Sequence, residues 1–417
     1  MPPRQEAAAR PRVEGGPAPA APSGPRPVAV VGLAGSGAAA RLAEASRAAE
    51  AELQLAPGQR PDLNDGEHFK VMWDVLTKTL GGLPLFGAEH LAALERSAAV
   101  VLRFGSDVFP QETALPTPLM RPCSFPGDPP LDMDFDYLSL AVACQVVLHR
   151  PDLVSGVHSF KQLYGGRLIT EIIPEAGEHT EFTGETRRND PVRQAEGEMR
   201  LHVDDADHLL RARLQLLVGV NNPAGIQTTF AVVPQDQVIQ SWGGCDVGLL
   251  RQPLFRSFPP SIVKPDAVPL RPLLFGPEEW PMVQADQKAL QKHAEAEFPS
   301  FETSSAAHAW SAFHSFLRSS SCLSGVVVGP GDVLLLDNYR MMHGREEIPP
   351  VPDVSARRWV KRLWLSAAPM EAVLDGCARF HGHPRVFDRL DVFEKQASKP
   401  HPDLPASGPH AERRPSQ

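Results

Sequence analysis

The sequence predicts an α+β fold: a double-stranded β-helix, or jelly roll, carrying helical embellishments. Two features of the chain point there. From about residue 132 onward, short β-prone segments are set apart by Gly, Pro and Asn at irregular spacing, with longer insertions between them. Three- and four-residue apolar periodicity, the mark of helices, gathers ahead of those segments and inside the insertions. A third observation bounds the size: 417 residues, 42% hydrophobic and 22% charged, suit one large barrel with helical additions and tails.

Taken in order, residues 1–27 are almost entirely Pro, Ala, Gly and charge, too poor in apolar surface to offset chain entropy, and read as a disordered extension. Residues 28–398 form the predicted single domain, and 399–417 a Pro/His/Ser-rich disordered tail. The glycines of 32–37 lack both the Gly-Lys-Ser/Thr of a phosphate loop and the spacing of a dinucleotide fingerprint. Helices are predicted over 38–55, 68–80, 88–101 and 137–148, and strands over 168–173, 214–220, 228–233, 325–328, 333–337 and 359–365. Further helices, 288–297 and 306–317, are inserted between barrel strands.

Composition excludes several functions. With 41 Lys and Arg against 50 Asp and Glu, the net charge of −9 leaves no basic excess for a phosphate backbone, so nucleic acid is not an expected partner. No apolar run reaches the roughly 20 residues that cross a bilayer, so no membrane partner is expected either. Cys123, Cys144, Cys245, Cys322 and Cys377 are odd in number and never paired as CxxC, which fits a reducing cytoplasm better than a disulfide framework or zinc knuckle.

Three short constellations carry chemistry. His202 and Asp204 form an H-x-D ahead of an apolar strand; in extended chain, residues two apart point to one side, so both can face one ion, although such pairs also arise on ordinary surfaces. His343 follows the apolar run 333–336 and the Asp337-Asn338 pair, and can complete a set of two imidazoles and one carboxylate. That set leaves three positions of an octahedral iron open, two for a chelating 2-oxoacid and one for O₂, whereas structural zinc wants four protein ligands. Arg358 and Arg362, four apart on a predicted strand, share a face away from Trp359; they read either as carboxylate anchors in the barrel or as an edge charge that discourages aggregation. His208, six residues past His202, reads as an ordinary histidine.

In that order and spacing the sequence resembles the clavaminate synthase-like branch of the Fe(II)/2-oxoglutarate oxygenases, and in particular bacterial hydroxylases of free asparagine and arginine. The resemblance spans about residues 132–368 and is strongest from Asp337-Asn338 through His343-Gly344-Arg345 to Arg358-Trp359 and Arg362. It implies a hydroxylase with Fe(II) on His202, Asp204 and His343, and with 2-oxoglutarate and O₂ as cosubstrates. It further implies Arg358 and Thr229 on the 2-oxoglutarate carboxylate, Arg362 on the α-carboxylate of an amino-acid-like substrate, and Glu171 and Asp286 facing that substrate. The chain departs from the family pattern in carrying Asp204 where the amino-acid hydroxylases often have Glu, and in lacking a second acid close to Asp286. A silent jelly-roll binding protein, a same-scaffold desaturase or cyclase, and a zinc hydrolase on the same ligands are the alternatives; the oligomeric state is open.

Overall fold

The computed structural model describes residues 28–33, 37–54, 61, 66–104, 133–159, 168–172, 199–204, 206, 211–242, 244–255, 270–285, 304–319, 321–348, 358–366 and 386–388. The expected extension 1–27, tail 399–417, helix 288–297, Asp286 and His208 lie outside them.

The helices are α1 (Ala38–Glu52), α2 (Gly66–Gly82), α3 (Ala88–Ser97), α4 (Met133–His149), the short α5 (Asp236–Ser241) and α6 (Val247–Leu250), and α7 (Ser305–Leu317). The strands are β1 (Ala29–Gly32), β2 (Ala99–Arg103), β3 (Gly156–Ser159), β4 (Thr170–Ile172), β5 (Met199–His202), β6 (Leu214–Asn221), β7 (Gln227–Val232), β8 (Leu274–Phe275), β9 (Met282–Val283), β10 (Leu323–Val327), β11 (Asp332–Asp337), β12 (Met341–Arg345), β13 (Trp359–Ser366) and β14 (Val386–Asp388).

The larger sheet runs β1-β2-β11-β6-β13-β3-β14, with β4 also on β13; the smaller runs β10-β7-β12-β5. Three apolar clusters stack as layers. On one side of the large sheet, Leu42, Phe69, Met72, Leu138 and Val142 of the helices meet Leu216, Val218, Val333, Leu335, Trp359 and Leu363. Between the sheets, Leu217, Leu334, Leu336 and Val360 meet Phe230, Val326 and Met341. Beyond the small sheet, Ala231 and Met342 pack with Leu250, Phe313 and Leu317 of α6 and α7. A sheet covered on both faces explains why all eight residues of β6 are buried, and why β6 and β11 read as apolar runs with little alternation. Gln215 is the amide inside that buried run, 2% exposed.

One helix expectation fails. The predicted helix 88–101 stops at Ser97; Ala98 turns left-handed at φ 54°, and Ala99–Arg103 is a strand between β1 and β11. Ala99, Val100, Val101 and Leu102 are all buried, so the run carries no alternation, and its β-branched valines favour the extended chain. Among the described residues no helix is long and apolar enough to cross a membrane.

Candidate metal centre

The centre forms where two strands of the small sheet lie side by side. His202 closes β5, His343 sits in β12, and the antiparallel register sets them directly opposite each other, with ring centroids 4.5 Å apart. Gly344 allows this approach, because a Cβ there would run into the Met199 carbonyl oxygen of β5. Asp204 follows β5 and is held by its backbone: its N–H donates to Asn338 Oδ1 (2.9 Å), while Asn338 Nδ2 donates to Asp204 O (2.9 Å) and Ala212 O (3.1 Å). Asn338 is wholly buried, so these bonds stay dry.

The ligand atoms of His202, Asp204 and His343 lie within 4.8 Å of one another. Asp204 Oδ1 is 3.4 Å from His202 Nε2 and 3.8 Å from His343 Nε2. His202 Nδ1 lies 2.9 Å from the Arg200 carbonyl, an acceptor that places the ring proton on Nδ1 and leaves the Nε2 lone pair facing Asp204. Burial, with the His202 ring and Arg362 adding to it against Asp204, pushes the His343 imidazole down to about 3, so this ring is a neutral donor near pH 7. Burial works against the Asp204 charge, but the Arg362 guanidinium beside it outweighs that and holds the carboxyl well below the usual carboxylate range. Two imidazoles and one ionised carboxylate, without a thiolate, fit a divalent iron.

The other Asp204 oxygen faces the large sheet. Oδ2 accepts from Gln215 Nε2 (2.8 Å), Trp364 Nε1 (3.0 Å) and Arg362 Nη1 (3.3 Å). Arg362 also stacks on the Trp364 ring at 4.7 Å.

Arg358, 5% exposed, reaches across to the small sheet and donates Nη2 to Thr228 Oγ1 (3.0 Å). Its Nε has no hydrogen-bond partner, and burial, joined by the Arg345 guanidinium, pulls its proton affinity down to about 10. The hydroxyl on Arg358 is therefore that of Thr228 and not that of the expected Thr229. The register explains it: Thr228 stands opposite Arg345, and Phe230 opposite His343, on one face of the pleat, while Thr229 stands opposite Gly344 on the other.

Glu171 is paired in register with Lys361 of β13, and its side chain lies outside the described residues. Ala285 O accepts from Val203 N (2.9 Å), so the chain leading into Asp286 passes beside the H-x-D segment. Sequence reasoning missed Asn338 as the backbone clamp, Thr228, Gln215 and Trp364. The signal for Gln215 is an amide in an otherwise apolar buried strand.

The fold is that of the non-haem iron oxygenases. The oxygenase OrfP, solved with Fe, succinate and (3S)-hydroxy-L-Arg, superposes with a TM-score of 0.60 at 20% identity, covering 87% of this chain and 100% of that one. An asparagine oxygenase solved with Fe(II), 2S,3S-3-hydroxyasparagine and succinate gives 0.63 at 18% identity, covering 86% and 99%. In sequence the chain is similar to enduracididine beta-hydroxylase of Streptomyces hygroscopicus, 28% identical in a 189-residue alignment that covers 39% of this chain. The match spans about half, 51%, of that relative's length. No family model matches the chain.

Proposed function

We propose that the protein is an Fe(II)/2-oxoglutarate-dependent oxygenase that hydroxylates an unactivated carbon of an amino acid or amino-acid-derived substrate. The observation that carries the reading is the pairing, between the two sheets, of a His202–Asp204–His343 ligand cluster with the buried Arg358 guanidinium, whose Nε is unanswered. A guanidinium so placed calls for a carboxylate, and 2-oxoglutarate brings one at the end remote from its metal-chelating group. A zinc hydrolase on the same three ligands would have no use for Arg358.

In this reading the core is a double-stranded β-helix within one oxygenase domain spanning 28–398. His202, Asp204 and His343 hold the iron; Arg358 and Thr228 fix the distal carboxylate of 2-oxoglutarate. When bound, iron, 2-oxoglutarate and O₂ supply hydroxylation of a C–H bond, with succinate and CO₂ as coproducts. The protein's part is positioning and dryness: Phe230 and Met341 on the inner face exclude water, and β5 and β12 keep the ligand set in register. Arg362 can serve Asp204 and a substrate carboxylate from different edges of its planar fork, with Asp286 assigned to the rest of the substrate; the expected Glu171 is withdrawn, because its register partner Lys361 faces the helices. The amino-acid ligands of OrfP and of the asparagine oxygenase support this substrate class. A cytoplasmic location belongs to the same proposal, supported by the free thiols Cys144, Cys245 and Cys322.

The test is succinate formation from 2-oxoglutarate by anaerobically purified, Fe(II)-loaded protein on exposure to air, with and without a panel of amino acids, beside His343→Ala. Succinate that depends on iron, on His343 and on one panel member is the expected result. No turnover together with no 2-oxoglutarate binding would make this a silent binding protein.

A further inference from the structure

The two oxygens of Asp204 have different neighbours. Oδ1 is the one facing His202 and His343, while Oδ2 takes N–H donors from three side chains of the large sheet. Gln215 and Trp364 are direct cross-strand partners of β6 and β13, so two neighbouring strands deliver one donor each to the same atom. Both are fixed by burial, at 2% and 3% exposure. Gln215 also holds its amide at a cost: with Nε2 on Asp204, its Oε1 is buried without a partner. Flipping the amide would set oxygen against oxygen, so the donating orientation is the one Asp204 imposes.

We infer that Gln215 and Trp364 are positioning residues that hold Asp204 as a one-oxygen metal ligand. The inference rests on the proposed iron site. Three N–H groups use up the acceptor capacity of Oδ2 and set the carboxylate plane, leaving Oδ1 for the ion. The consequence is a count of positions. Two imidazoles and one oxygen occupy three of six; a chelating 2-oxoacid takes two more, and the last remains for O₂. A carboxylate binding through both oxygens would fill that last position. Gln215 and Trp364 would thus act on the ion through Asp204, to whose Oδ2 both donate.

The experiment uses the full chain with Trp364→Phe and Gln215→Leu made separately, so that one variant suffices if the other fails to fold. Anaerobic Fe(II) affinity is read by chelator competition, and ligand geometry by the visible spectrum of the Co(II)-loaded protein. Each variant should weaken Fe(II) binding by about tenfold or more and shift the Co(II) bands, as loss of a partner behind a metal ligand does. Variants that bind Fe(II) within twofold of wild type with unchanged Co(II) spectra would overturn the inference, even with a lowered melting temperature, because that is the signature of packing alone. If the wild type makes iron-dependent succinate in that case, only the positioning role has failed. If the wild type binds neither ion, the iron site itself is wrong and this inference falls with it.

Discussion

Strand β13, with Arg358 leading into it, buries a cation towards each side of the sheet, and the two are answered differently. On the helix side, Lys361 is wholly buried and its Nζ meets Asp136 Oδ1 of α4 at 2.8 Å, with the Trp359 ring 5.8 Å away. On the inner side, Arg358 meets the neutral hydroxyl of Thr228, and its Nε has no partner. Both charges are costly to bury. The first is compensated by the chain's own carboxylate and ties α4 to the sheet; the second meets no carboxylate among the described residues, and the proposed function gives it the anion of 2-oxoglutarate. A buried ion pair is therefore architecture here, and the buried half-pair is what the proposed 2-oxoglutarate site rests on.

Breaking the complete pair should have the largest effect. Lys361→Ala leaves the Asp136 carboxylate buried without the ammonium that faces it, and urea unfolding should show a loss of about 3–5 kcal/mol. Lys361→Met with Asp136→Leu should recover most of that, because matched apolar groups remove both desolvation costs. A single variant as stable as wild type would mean the pair does not carry the helix–sheet contact. The incomplete pair should respond in the opposite sense. Arg358→Met removes a charge that the free protein does not fully compensate, so its stability should hold or rise. Anaerobic titration with 2-oxoglutarate should nonetheless show affinity falling about 100-fold, near 2.7 kcal/mol. Unchanged affinity would erase the distinction between the two sides of β13.

How far this contrast is legible in the sequence depends on range. His202, Asp204 and His343 can be read as a set because metal ligation demands those residue types and the strand period puts i and i+2 together. Arg358 and Arg362 are legible for the same reason of parity. Thr228 against Thr229 is not, because two adjacent threonines on a strand differ only in which face the pleat gives them, and that follows from the pairing with β12. Lys361 lies between the arginines and strand parity turns it to the Trp359 face, but nothing local says that it meets Asp136 there, 225 residues distant. The strand Ala99–Arg103 is hidden by its own burial, since a run covered on both faces shows neither period.

The inner site can be set apart from the Lys361 pair once more, by acid. In the folded chain His343 stays neutral down to about 3, whereas an unfolded imidazole takes its proton near 6.5. Between those values the unfolded chain binds a proton that the folded chain refuses, so His343 makes stability rise with pH across that window. The contribution is complete above about pH 6.5 and is lost on acidification towards 3, at no more than about 1.4 kcal/mol per pH unit. Asp204 acts in the same direction but later, because its folded carboxyl is held below the ordinary 3.8 and the unfolded one protonates first only near and below that value. Arg358, pulled down only to about 10, stays charged throughout and adds no slope. Urea midpoints of the metal-free protein should therefore fall between pH 7 and pH 5, and His343→Gln should flatten that part of the profile. A wild-type midpoint that is level from 7 to 5 would mean the His343 ring is protonated as readily in the fold as out of it, and would remove the argument that it stands ready as a neutral metal donor.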